Sequence, residues 1–358
     1  MQGVRGQGGS RRRAAARVNP SPDLRQAGTG IAVGHATDES GATGLTVVRG
    51  VNGPMRASAH VFGRATGTRE LSLLEPWAAN DRIDAILLTG GSAYGLDAAA
   101  GVMQWMEERG RGFPIAGGVV PIVPAAVVFD LAPLGRFDAR PTAEMAHHAC
   151  ESAAEYGIAE GSIGAGTGCT VGKVRGPSYA MKGGLGIGLS APPGGTTVGV
   201  AGRDARSSAA ARSSVAVAAV AIAVVNAFGH VRDQRGVIAG PRDDNGVPQD
   251  AERWIAENGA PSRDAGSSTT ISVVALNVAL SKVELYQVAR SASAAYARRI
   301  GPAGSSFDGD VVFVVAPLEG PRAPLLLAEV VATNALEDAI VRGVRLARGR
   351  EGVPGLAD

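Results

Sequence analysis

The stretch DAGSSTTISVVALN, Asp264 to Asn277, crowds five hydroxyl side chains (Ser267, Ser268, Thr269, Thr270 and Ser272) into six positions, just where a run that reads as a buried strand begins. Hydroxyls gathered in a loop ordinarily serve turns and caps. The surroundings here ask for more. A polar, turn-rich segment from Arg232 to Asp264 leads in, a hydroxyl stands at the first position of a central-type strand, Thr269 to Leu276, and an acidic element, FDGD (307–310), follows downstream. That combination suits a chain that cuts itself. If the Ser268–Thr269 bond breaks, Thr269 acquires an α-amine with an unperturbed pKa of about 7.7 to 8.0, able to act as base for its own hydroxyl. Thr270 points to the opposite strand face, and the two serines precede the strand, so Thr269 is the expected nucleophile.

Downstream, Ser281 and Glu284 form a capping box, and Leu285, Val288, Ala289, Ala292 and Tyr296 recur at helical spacing up to a stop at Gly301-Pro302. DGDVVFVVA reads as a strand and LLLAEVVATNALEDAIVRGVRLA as a long amphipathic helix. Upstream, GIAVGHATD and GATGLTVVRG are two strands joined by a turn, and Ile86 to Leu88 is a buried strand followed by a helix from Gly95 to Arg109. A strand around Ala125 to Leu131 and a helix from Thr142 to Tyr156 come next. Strands over GLGIGL, TTVGVAG and AVAIAVVNAFGHV then precede the polar segment, which reads as a surface loop. Strands and helices arrive in blocks, which favours sheets packed between helical layers.

The 358 residues can bury a large core, and 45% hydrophobic content with 4% aromatics and 51 glycines implies closely packed layers of small residues. The formal charge of +2 hides an asymmetry. Six arginines (Arg5, Arg11, Arg12, Arg13, Arg17, Arg25) against Asp23 put about +5 in the first 27 residues, so the remainder is near −3. The charge sits on a Gly/Ser/Arg-rich tail, 1–29, which reads as disordered and dispensable, so no nucleic-acid platform is indicated. No signal-peptide core and no apolar run of about 20 residues occurs, and with only Cys150 and Cys169 present the expected setting is a reducing cytoplasm with no membrane partner.

Several motifs fail on inspection. GGSAY has Tyr94 where a nucleophile elbow needs glycine; TGCTVGKV lacks the first glycine and the final hydroxyl of a phosphate loop; no GxGxxG is present. His35, His60, His147, His148 and His230 show no metal spacing, and neither metal nor organic cofactor is expected.

Seven segments together resemble one family: GTRELSLLEP (67–76), LLTGGSAYGLDAAAGVMQWMEERGRGF (87–113), PIVPAAVVFDL (121–131), GAGTGCTVGKVRG (164–176), VVNAFGHV (224–231), TTISVVALNVALSK (269–282) and FDGDVVFVVA (307–316). They are similar to the P1 (S58) peptidases, the group of L-aminopeptidase/D-esterase, the β-peptidyl aminopeptidases and the nylon-oligomer hydrolases. The resemblance implies an α/β fold, a four-layer α/β/β/α sandwich of the N-terminal-nucleophile-like type shared with ornithine acetyltransferases. It implies one domain over 30–358 that cuts itself into a large chain ending at Ser268 and a small chain 269–358, the pairs assembling into homotetramers. The family nucleophile falls on Thr269, as in the Thr-using nylon hydrolases. The active-site lysine falls on Lys173, the asparagine on Asn226, the acidic pair on Asp308 and Asp310, and a further amide on Asn277. One position departs: Phe129 stands where the characterised aminopeptidases carry a tyrosine, which puts any role of that phenol in doubt.

Each residue type also has an ordinary reading: Lys173 bridging a surface carboxylate, Asn226 closing a strand end, Asp308-Gly309-Asp310 forming a plain turn. The chemistry nevertheless asks for these types. An amide can donate to an oxyanion, a carboxylate can hold the new ammonium, and a lysine can tune that amine by like-charge repulsion. The expected activity is hydrolysis of a peptide or amide through a Thr269 acyl-enzyme. The alternatives are acyl transfer of the ornithine acetyltransferase type, whose ATML cleavage segment is absent, and an uncleaved binding scaffold.

Overall fold

A computed structural model describes residues 20–192, 197–199, 214–259 and 268–358. Ten strands build two stacked sheets and are numbered here in chain order: β1 (Ile31–Asp38), β2 (Thr43–Gly50), β3 (Arg56–Val61), β4 (Thr68–Arg69), β5 (Ala85–Thr89), β6 (Ala125–Val127), β7 (Gly184–Ser190), β8 (Ala219–Asn226), β9 (Thr269–Leu276) and β10 (Val311–Ala316). The front sheet runs β1-β2-β5-β6-β4 and the back sheet β7-β8-β9-β10-β3. Six helices complete the frame: α1 (Ala99–Glu107), α2 (Ala143–Glu151), α3 (Ala251–Asn258), α4 (Lys282–Ala292), α5 (Ala294–Arg299) and α6 (Leu325–Arg345).

Strand alternation explains the layering. In β8, Val220, Ile222 and Val224 fill the seam between the sheets together with Ile86 and Leu88 of the front sheet. Ala219, Ala221, Ala223 and Val225 of the same strand face α4 and α6 on the other side. The front sheet packs its outer face, with Leu45, Val47, Ala85 and Leu87, against α1 and α2. The order is therefore helices, sheet, sheet, helices: the four-layer α/β/β/α sandwich. Small residues make it this tight. A Cβ on Gly186 or Gly188 of β7 would run into the α6 backbone at Ala339 and Ala335, so only glycine lets helix and sheet approach so closely.

β9 lies at the centre of the back sheet, antiparallel to β8 and parallel to β10, and all eight of its residues are buried. The capping box at α4 is present in full, Ser281 accepting from Glu284 N and Glu284 accepting from Ser281 N.

Several expectations change, among them the strand expected over AVAIAVVNAFGHV, which is two strands, Ala219–Asn226 and His230–Asp233, and the helix expected to reach Tyr156, which ends at Glu151. Residues 20–27 are part of the folded body, not of a tail: Asp23 caps a short 3₁₀ turn, Leu24–Ala27, and Leu24 and Ala27 are buried in the seam core. The disorder expected for 1–19 lies outside the described residues. The polar segment before β9 holds a strand, Gly236–Ala239, and α3, whose Ala251, Trp254 and Ile255 pack on Phe228 and Phe307 under an Asp250 cap. Residues 260–267 lie outside the described ones, as does most of TTVGVAG beyond 197–199. The strand expected to reach Leu131 stops at Val127, because Asp130 turns inward to accept from Gly91 N and Thr43 Oγ1. The helix expected to end at Gly301-Pro302 stops at Arg299, and Ile300–Gly301 instead pairs with His230–Val231.

Candidate active site

The site is built around the first residue of β9. Thr269 is 4% exposed and faces Asn226 across the β8–β9 ladder. Alternation puts it on the face of Ile271 and Val273, opening into the seam between the sheets. Thr270 belongs to the other face, where the Tyr296 hydroxyl meets the carbonyls of Thr270 and Val311, each at 3.1 Å, and the Ser272 hydroxyl at 3.0 Å. Ser268 is fully buried beside Asp308. Its amide donates to the Phe307 carbonyl at 3.2 Å, and its own carbonyl accepts from Gly309 N at 2.9 Å. A Cβ at Gly309 would stand 2.7 Å from Thr269 Oγ1, so that hydroxyl lies directly over the Gly309 backbone.

The two acids flank this point. Asp310 accepts from Thr270 N at 2.7 Å with one oxygen and from Gly304 N at 3.0 Å with the other. Asp308 accepts from the Ser305 amide at 2.9 Å and hydroxyl at 2.6 Å. Both carboxyls are pushed above the ordinary carboxylate value, chiefly by burial; Asp310 rises furthest because the charge of Asp308 adds to its burial. Two neighbouring acids that resist full ionisation can hold and pass a proton.

Lys173 follows a left-handed glycine, Gly172 at φ 77°, which turns the chain so that the amine points inward. Its Nζ donates among four acceptors: Thr170 O at 2.8 Å, Thr170 Oγ1 at 3.3 Å, Asn226 O at 3.1 Å and Asn226 Oδ1 at 3.0 Å. Burial pulls its pKa down to about 7, a trend that the attraction of Asp308 partly opposes. Asn226 Oδ1 also accepts from Thr170 N at 3.0 Å, and its Nδ2 donates one hydrogen to the Phe129 carbonyl at 2.8 Å. The amide is thereby held rigid beside Thr269. Together these groups bring a hydroxyl, two buried carboxyls, an amide and an amine of lowered pKa to one place, the residue types that nucleophilic acyl transfer can use.

Thr269, Asn226, Lys173, Asp308 and Asp310, all expected from sequence, thus meet at one end of β9. Asn277 does not join them. It lies past the other end of the strand, eight residues and about 26 Å away at the usual rise, and its side chain is spent on Ala218 N and Ala216 O at 2.8 Å each. The Phe129 ring lacks the family phenol, yet its carbonyl orients Asn226.

Sequence reading missed Thr170, whose three polar atoms brace Lys173 and Asn226. It also missed Lys182, fully buried with its amine donating to the carbonyls of Gly166, Cys169 and Gly183. Burial lowers the Lys182 pKa to about 8 and raises that of nearby Asp130 to about 6. A lone lysine after Met181, or a lone aspartate between Phe129 and Leu131, carries no sequence signal of its own burial. Among the described residues one further group, His230 with Asp250 and Glu252, has metal-ligand types within reach of one another. His230 Nδ1 already accepts from Ala251 N at 3.0 Å, which leaves the hydrogen on Nε2 and no lone pair for a metal in that tautomer.

The model of the family described as Peptidase family S58 matches residues 29–356. An uncharacterized aminopeptidase of Mycobacterium tuberculosis is 36% identical over 359 residues, spanning 92% of this chain and 95% of the relative. A 6-aminohexanoate-oligomer endohydrolase of Agromyces sp. is 31% identical over 300 residues, 80% of this chain and 72% of the relative. In three dimensions the L-aminopeptidase D-Ala-esterase/amidase of Ochrobactrum anthropi, described as a variant of the Ntn hydrolase fold, superposes with a TM-score of 0.62 at 19% identity, covering 93% of this chain and 89% of the other. A Burkholderia sp. beta-aminopeptidase gives a TM-score of 0.61, also at 19% identity, over 96% and 91%.

Proposed function

Because the chain belongs to peptidase family S58 and is a hydrolase, we propose that it matures by cutting itself between Ser268 and Thr269 and then hydrolyses amide bonds with Thr269 as N-terminal nucleophile. The observation that carries this reading is the placement of the Thr269 hydroxyl: first residue of a central strand, next to Asn226 in register and over Gly309 between the two acids. In the precursor the hydroxyl attacks the Ser268 carbonyl. In the mature protein the freed α-amine deprotonates the same oxygen for attack on a substrate, water then releasing the acyl group. Asn226 donates to the oxyanion, Asp308 and Asp310 carry protons and hold the new ammonium, and Lys173 keeps that amine near neutral pKa.

The substrate class proposed is a short amide with a free amine, an aminoacyl amide or an ω-amino-acid oligomer, in line with what the aminopeptidase and 6-aminohexanoate-oligomer relatives are named for. Assembly into a homotetramer rests on the family resemblance. Cytoplasmic residence rests on composition and on two buried free cysteines; among the described residues no helix is long and apolar enough to cross a membrane.

The test is direct. Purified protein should yield two fragments, the smaller beginning Thr-Thr-Ile-Ser, and should release free amine from aminoacyl amides or aminohexanoate oligomers without transferring the acyl group to added ornithine. Activity in a chain that stays intact, or a small fragment with another first residue, overturns the nucleophile. Sedimentation of the cleaved protein as a monomeric chain pair overturns the tetramer.

A further inference from the structure

We infer that the backbone amide of Gly309 is the oxyanion donor of the self-cleavage step; this rests on the proposed cut between Ser268 and Thr269. The carbonyl that would be attacked, Ser268 C=O, already accepts a hydrogen bond from Gly309 N at 2.9 Å. The attacking atom is close by, since a Cβ on Gly309 would stand 2.7 Å from Thr269 Oγ1 and equally near the Ala65 carbonyl. The donor, the carbonyl it polarises and the nucleophile thus occupy one small volume, and the missing side chain at 309 is what makes room for the third.

The amide is also held still. Asp308 is tied on one side through Ser305, and its carbonyl accepts from the Arg64 amide at 2.7 Å and the Ala65 amide at 3.0 Å. Asp310 is tied on the other by Thr270 N and Gly304 N. The N–H between them cannot swing away as charge develops, which is the condition under which a single donor contributes strongly. The step balances as follows. Thr269 Oγ1 bonds to the Ser268 carbonyl carbon and gives up its proton, and the carbonyl oxygen takes the negative charge against Gly309 N–H. The C–N bond then breaks with the proton passing to the Thr269 nitrogen. Water hydrolyses the resulting ester to a Ser268 carboxylate and a free Thr269 hydroxyl.

The test replaces Gly309 with glycolate during translation of the full chain, exchanging the N–H for an ester oxygen and nothing else. Appearance of the small chain starting at Thr269 is expected to slow by about a hundredfold or more, with near-ultraviolet circular dichroism unchanged. Cutting within threefold of the wild-type rate overturns the assignment. Should the ester chain fail to fold, the infrared band of an isotope-labelled Ser268 carbonyl in the uncut Thr269→Ala chain decides: a band shifted down, as for a hydrogen-bonded amide, supports it, and a band at the position of an unbonded amide overturns it. If the wild-type chain is not cut at 268–269, the underlying self-cleavage reading fails instead, which is a distinguishable result.

Discussion

The two ends of β9 each carry an asparagine amide, and they do different work. At the start, Asn226 faces Thr269 in register and its side chain ties together Thr170, Lys173 and Phe129, groups from separate parts of the chain. At the far end, Asn277 bonds to Ala216 and Ala218 of the neighbouring segment, closing the backbone where the ladder stops. The residue type is the same, and both sit at a strand terminus. The difference lies in what other elements deliver there: a buried lysine and two acids at one end, main-chain atoms at the other. A polar side chain at a strand end becomes a candidate for chemistry when side chains remote in sequence converge on it.

Substitutions at the two ends should separate sharply. The largest effect is expected for Thr269→Ala, which removes the oxygen proposed both to attack Ser268 and to serve later as nucleophile. The chain should remain a single folded, inactive polypeptide on a denaturing gel, while Thr269→Ser cuts at least partly and Thr270→Ala cuts normally. A cut Thr269→Ala chain would break the contrast at its root. Next, Asn226→Ala should lower kcat by about a hundred to a thousandfold, measured on any amide the wild-type protein hydrolyses; a loss under tenfold would reduce Asn226 to the structural role of Asn277. Asn277→Ala should do the reverse, leaving kcat within about threefold while costing about 1 to 3 kcal/mol of stability through the unpaired backbone groups, read by urea denaturation.

A further effect concerns the pH dependence of stability. Lys173 is held at about 7 in the folded protein against an ordinary value of 10.5. Between those values the unfolded chain binds more protons than the folded one, so wild-type stability should rise with pH across that window. Lys173→Met should flatten the rise, Lys182 leaving a residual slope because it too is depressed, to about 8. A variant whose stability climbs as steeply as wild type removes Lys173 as a buried, near-neutral amine.

What could be read beforehand follows from where the physical signal sits. The strand at 269–276, the capping box at Ser281 and Glu284, and the long helix from Leu325 declare themselves through periodicity and cap chemistry. The family resemblance, not any pattern in the chain, put Thr269, Asn226, Lys173, Asp308 and Asp310 together, and the structure brings them to one end of β9. Other features left no such trace. Leu24 and Ala27 are single apolar residues in an arginine-rich stretch, with no period to betray their burial. Helix α3 is short and largely polar, so its Trp254 and Ile255 look like loop residues until Phe228 and Phe307 are folded against them. Asn277 was expected at the site on the family resemblance alone; it lies at the far end of β9, bonded to Ala216 and Ala218, and a strand is the element that separates its ends most. Gly309 contributes a backbone amide, which no side-chain alphabet can announce.

The order of the back sheet has a consequence for how the gene can be arranged. The strands run β7-β8-β9-β10-β3, so everything after Ser268 places β9 and β10 side by side between strands from earlier in the chain. A separately encoded second half would emerge with two strands that the whole fold buries completely, each lacking a neighbour and each an open edge for its own copies to pair with. One reading frame avoids this and delivers the two halves in equal numbers from every translation event. A lineage that split the gene at this boundary would have to regulate two messages and shield an aggregation-prone product, so fusion is the arrangement that selection should hold in place.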